Sequence, residues 1–84
     1  MNYYTASKIN AAAARKATVD AYNLLIKKQI ELVYQTIQTN VRAGKYKCSF
    51  EGDMYSETMS ELRESGYTVT QNTDIDFLSF NISW

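Results

Sequence analysis

The chain is 84 residues long, 45% hydrophobic and 21% charged, with a net charge of zero, one cysteine, no proline and no histidine. A chain this short buries only about 60–65% of the surface its unfolded form exposes, so a single domain with a marginal core is expected over residues 1–84. One cysteine closes no intrachain disulfide, and without histidine the usual zinc sites, imidazole bases and catalytic triads are missing, which excludes most enzyme classes and leaves oligomerisation as the common way to stabilise so small a core.

From Thr5 to Ala43 there is neither proline nor glycine, and the residues are mostly strong helix formers. Val19, Tyr22, Ile26, Ile30, Val33, Ile37 and Val41 recur at steps of three and four, which predicts one long helix over 5–43. Gly44 ends it at the left-handed position past the cap, and Arg42 in the last turn suits the helix dipole. Unbroken, such a helix runs about 58 Å at 1.5 Å per residue. A compact domain of this size is only about 30 Å across. The helix therefore protrudes, or it breaks near Ala17-Thr18-Val19-Asp20, where Thr18 can cap and Asp20 suits a first turn. A long helix whose exposed part is covered by another subunit is the favoured reading.

Residues 45–84 form a small β-α-β-β unit. Lys45-Tyr46-Lys47-Cys48-Ser49-Phe50 alternates strictly, predicting a strand with Tyr46, Cys48 and Phe50 on its inner face. After Gly52, Asp53 serves as N-cap of a second helix, Met54 to Ser65, whose buried face is Tyr55, Met59 and Leu62. Gly66 closes that helix and brings Tyr67 against Leu62. Tyr67-Thr68-Val69-Thr70 reads as a strand, Asn72-Thr73-Asp74 as a turn, and Phe77 to Trp84 as a last strand with Leu78, Phe80, Ile82 and Trp84 inward. A right-handed crossover makes the first two strands parallel, and the last fits between them, antiparallel to both. The expected fold is α+β, with a three-stranded mixed sheet.

Charge is split along the chain. Residues 1–47 carry Lys8, Arg15, Lys16, Lys27, Lys28, Arg42, Lys45 and Lys47 against Asp20 and Glu31, a net +6; residues 48–84 carry Arg63 against Glu51, Asp53, Glu57, Glu61, Glu64, Asp74 and Asp76, a net −6. Basic and acidic surfaces of neighbouring copies can meet, the basic half can hold an anionic ligand, or both halves are simply solvated. Arg15, Lys16, Lys27 and Lys28, with the Arg42, Lys45 and Lys47 cluster around Gly44, are the anionic-ligand candidates. A helix C-terminus presents carbonyls, which counts against a phosphate site at that cluster. Nucleic acid ranks lower still, since a general binder is normally net basic with interleaved exposed aromatics.

Glu57, Glu61 and Glu64 share one helical face, but no apolar setting separates their pKa values for acid–base work, so a solvated face is the better account. Asp74-Ile75-Asp76 lacks the oxygens and glycine of a calcium loop. Cys48 is expected as packing between Tyr46 and Phe50 rather than as a nucleophile. There is no glycine-rich phosphate loop and no nucleophile elbow, so no catalytic residue, metal or cofactor is expected. Of the seven tyrosines, Tyr46, Tyr55 and Tyr67 fit the core, whereas Tyr3, Tyr4, Tyr22 and Tyr34 exceed what a small domain needs. With Ile26 they form the expected interface along the helix, tyrosine being favoured where buried area and a polar tip are both useful.

Leu62-Arg63-Glu64-Ser65-Gly66-Tyr67-Thr68-Val69 running into Asn81-Ile82-Ser83-Trp84 resembles a recurrent pattern in small tailed-phage proteins. Those have an N-terminal helix, a Gly-Lys-aromatic strand (here Gly44-Lys45-Tyr46), a short helix ending Leu-x-x-x-Gly-Tyr and a final strand ending Ile-Ser-Trp. The match covers about residues 30–84, rests on structural motifs, and leaves the Ala-rich start at 5–17 unaccounted for. The resemblance implies a phage origin and brings no catalytic residue with it. Together with the absence of a bilayer-length apolar run or a secretory-type start, it gives a host cytoplasm or virion setting, with Cys48 reduced. The expectation is a non-enzymatic homo-oligomer, a virion or assembly component, with other phage or host proteins as further partners. The alternative is a counter-defence or host-takeover protein that sequesters a small anionic nucleotide signal or binds a host protein.

Overall fold

The computed structural model describes residues 10–72 and 78–84. Its elements are α1 (Ala11–Arg42), β1 (Lys47–Glu51), α2 (Ser56–Glu64), β2 (Thr68–Asn72) and β3 (Ser79–Ser83), an α+β arrangement. Tyr3, Tyr4 and Lys8, the turn at Thr73-Asp74, the Asp74-Ile75-Asp76 pair and Phe77 lie outside the described residues.

Helix α1 is continuous over 32 residues. It runs from Ala11, where extended Asn10 caps it, its side-chain Oδ1 accepting from the Ala13 N–H at 2.8 Å; residues 5–9 of the expected helix lie outside the described residues. No break occurs at Thr18. Its hydroxyl donates to the Ala14 carbonyl one turn back (2.9 Å), so it is satisfied inside the helix and caps nothing. The helix ends as its sequence requires: Gly44 at φ +76° lets the Lys45 N–H reach the Asn40 carbonyl and the Gly44 N–H reach that of Val41. Helix α2 ends the same way, with Gly66 at φ +96°, Tyr67 N–H on the Leu62 carbonyl and Gly66 N–H on that of Arg63.

The start of α2 departs from expectation. Asp53 is not its cap: Asp53 Oδ1 accepts from the adjacent Met54 N–H, and the helix begins only at Ser56, after an extended Tyr55. The cause is tertiary. Gln29 of α1 reaches across, its Nε2 donating to the Asp53 carbonyl and its Oε1 accepting from the Tyr55 N–H, both at 2.9 Å. That two-point clamp ties 53–55 to α1 ahead of the helix, with Tyr55 extended and Met54 buried in the core.

The sheet order is β1-β3-β2, and β3 pairs antiparallel with both neighbours. β1 and β2 run the same way but never touch, so every ladder is antiparallel and the sheet is not mixed in its pairing. Ile82 is the centre of the row Cys48–Ile82–Val69, and Phe80 pairs with Phe50 one step along the same face. This face packs on α1 and α2, burying Val33, Ile37, Met54, Leu62, Val69, Phe80 and Ile82. Tyr46, expected inward, is 76% exposed. The Trp84 N–H still donates to the Tyr46 carbonyl, so the backbone follows the ladder, but the Tyr46 side chain lies at the end of the sheet and lines an open groove with Trp84 instead of the core.

A globule of this length would have a radius of gyration near 12 Å. The observed value is 17.4 Å, with extents of 54 × 27 × 25 Å. The difference is α1, whose 32 residues span about 48 Å at 1.5 Å each and whose buried residues begin only at Ile26.

Candidate functional site

The core takes one stripe of α1 and leaves another bare. Ile26, Val33 and Ile37 are buried, while Leu24, opposite them, and Leu25 and Leu32, about 100–120° round the helix, are 52%, 51% and 55% exposed. At 100° per residue Leu25 and Leu32 fall on one line with Ala14 and Ala21, flanked by Leu24. Two alternating steps, four then three, connect Ala14, Thr18, Ala21, Leu25, Lys28 and Leu32: a seven-residue repeat that is half-buried at Ala14 and exposed at the other five positions, with no other described strand or helix over it.

The expected interface residues are placed differently. Ile26 is 9% exposed and so is taken up by the chain itself. Tyr34 is half-buried: its hydroxyl donates to Ser65 Oγ at 3.2 Å and its ring meets Tyr67 edge-on at 6.2 Å, Tyr67 meeting Trp84 likewise at 6.0 Å. Tyr22 remains 39% exposed, with its ring edge-on to Tyr55 at 5.2 Å and its hydroxyl donating to Glu57 at 3.2 Å. These tyrosines fasten α1 to α2. Leu24, Leu25 and Leu32 are what sequence reasoning missed, although the seven-residue spacing of Leu25 and Leu32 was present as a signal.

The basic candidates do not converge. Arg15 and Lys16, like Lys27 and Lys28, are neighbours that point about 100° apart, and the two pairs are about 18 Å distant along the axis. Lys16 pairs with Asp20 at 2.9 Å on the surface, a contact worth little. Of the cluster at the helix end, Lys45 and Lys47 line an open groove of about 1070 Å³ with Tyr46 and Trp84, and Arg42 stands outside it.

Glu57 lies in the first turn of α2, and its carboxyl is held below its ordinary value by its own backbone N–H, then by the Ser56 hydroxyl (2.9 Å) and Tyr22. Partial desolvation, followed by the nearby carboxylate, pushes the Tyr22 hydroxyl up. Glu61 and Glu64 are exposed, and the face offers no buried carboxyl pair. Cys48 is half-buried, and desolvation pushes its thiol up, away from nucleophilic character. Among the described residues no three carboxylate or thiol side chains gather as a metal site, and no helix is long and apolar enough to cross a membrane.

Comparison with protein-family models, with curated proteins and with solved structures yields no match for the chain.

Proposed function

We propose that this is a non-enzymatic phage protein that works as a homo-oligomer through its long helix, as a virion or assembly component. One observation carries the oligomeric part: α1 extends past the globule and presents half-exposed Leu24, Leu25 and Leu32 outside the core stripe. Scattered exposed leucines are ordinary, but two in line with a third flanking them on one protruding helix make a patch of the kind that marks an interaction surface. The phage assignment rests on the Leu62–Tyr67 and Ile82–Trp84 resemblance. Light scattering after size exclusion, at low and high salt, tests the reading. A defined oligomer at both salts is expected, since the surface invoked is apolar and weakly screened. A monomer at high concentration would sink it.

The groove beside β1 favours one second reading, a counter-defence role. Lys45 and Lys47 offer charge-assisted hydrogen bonds beside the rings of Tyr46 and Trp84, which suits a small anionic nucleotide. A melting temperature that climbs with the concentration of a cyclic or ADP-ribose-type nucleotide would support it. No shift with any of them would remove it.

A further inference from the structure

We infer that two copies of the chain pair through α1 in antiparallel orientation, about a two-fold axis at the level of Asn23, with Leu25 of each copy against Ala21 of the other and Leu32 against Ala14. This rests on the self-association reading above and adds its geometry. The seam runs Ala14, Thr18, Ala21, Leu25, Lys28, Leu32, half-buried at Ala14 and exposed from Thr18 on: three short side chains followed by three long ones, with the long ones in the half nearer the sheet. A two-fold pair must match each residue with its reciprocal partner. In the antiparallel register every layer sets one long side chain against one short one: Leu32 on Ala14, Lys28 on Thr18, Leu25 on Ala21, and the same three reversed. The distance between helix axes follows side-chain size at the contact, so equal layers allow two straight helices to stay in contact along the whole seam.

A parallel in-register pair does the opposite. Leucine would meet leucine at one end and alanine meet alanine at the other, so the axes would diverge, and Lys28 would face Lys28 in the same layer. The antiparallel register separates those two ammonium groups by about 15 Å along the axis and lets each lysine stem lie over Thr18 while its charge stays in water. Leu24 of each copy flanks the two-fold and meets Leu24 of the other. The aligned peptide dipoles also oppose one another, which is favourable only in this orientation. The core stripe lies about 120° round the helix from the seam, so the sheet of each copy packs to the side of the pair rather than into the seam.

The overlap runs from Ala14 to Leu32, about 27 Å of helix. It uses the protruding half of α1 and explains why that half is helical without a core of its own to rest on, since an isolated helix of this length is marginal in water.

The test is disulfide trapping in a Cys48→Ala background. Ala14→Cys and Leu32→Cys single variants, one carrying a size tag, are mixed and oxidised. A cross-linked heterodimer is expected as the main product on a non-reducing gel. Homodimers of Leu32→Cys would mean a parallel pair, and a heterodimer only between Ala21→Cys and Leu32→Cys would mean a different register; either overturns the inference. A spin label at Leu32→Cys gives a second reading independent of disulfide chemistry: about 27 Å between labels along the axis if antiparallel, about 10 Å if parallel. Light scattering separates the two levels of failure. An oligomer with the wrong distances refutes this geometry alone, and a monomer refutes self-association as well.

Discussion

Replacing Leu25 and Leu32 together by glutamine removes the apolar part of the bare helix face without touching the core. Glutamine has nearly the helix propensity of leucine, so the helix itself is not weakened. Fully burying a leucine is worth about 1.5–3 kcal/mol. These two are 51% and 55% exposed in the single chain, so about half of that, ~1 kcal/mol, remains to be gained at each on association. A pair of chains holds four such side chains, and the double variant is expected to lose about 4 kcal/mol, roughly a thousand-fold in Kd. Sedimentation or light scattering over a dilution series measures this directly. Unfolding of the dilute, dissociated chain serves as the control and is expected to change by no more than about 0.5 kcal/mol, as exposed substitutions normally do. A double variant that associates within tenfold of its parent would refute the assignment of this face.

Thr58 is fully buried, and its Oγ1 has no hydrogen-bond partner among the described residues. Thr58→Val keeps the shape and removes an unsatisfied hydroxyl, so it is expected to stabilise by about 1 kcal/mol, or about 4–8 °C in Tm for a domain of this size; a loss of stability would show the hydroxyl to be satisfied. Gly66 sits at φ +96° with no atom within 4 Å of an added Cβ, so Gly66→Ala tests backbone conformation alone and is expected to destabilise by about 1–2 kcal/mol in urea titration. Glu57, held below its ordinary value near 4.5, contributes stability that is fully present above that pH and is lost as pH falls through its lower folded value. An NMR titration of Tyr22→Phe is expected to leave the Glu57 pKa still depressed, because its own N–H and Ser56 outweigh Tyr22; full return to 4.5 would show that ordering to be wrong.

The sequence by itself determined the element order, the two helix ends and the strand faces, Tyr46 excepted. Gly44 and Gly66 are the only residues in their neighbourhoods that take a positive φ freely, and alternation in 78–84 sends Phe80 and Ile82 inward whatever they pack against. These are local constraints and are legible in a local pattern. The start of α2 was not, because Gln29, more than twenty residues away, supplies the hydrogen bonds that keep Asp53 and Tyr55 out of the helix. Nor was the role of the long stripe on α1: a period of 3.6 shows that Val19, Tyr22 and Ile26 share a face but not where the sheet beneath them stops. Tertiary packing decided that Ile26 is covered, that Val19 is 56% exposed, and that Tyr22 and Tyr34 spend their rings on Tyr55 and Tyr67 within the chain. The exposed leucines emerge by subtraction, once the core has taken its share of the helix, and that share is set by the length of three five-residue strands.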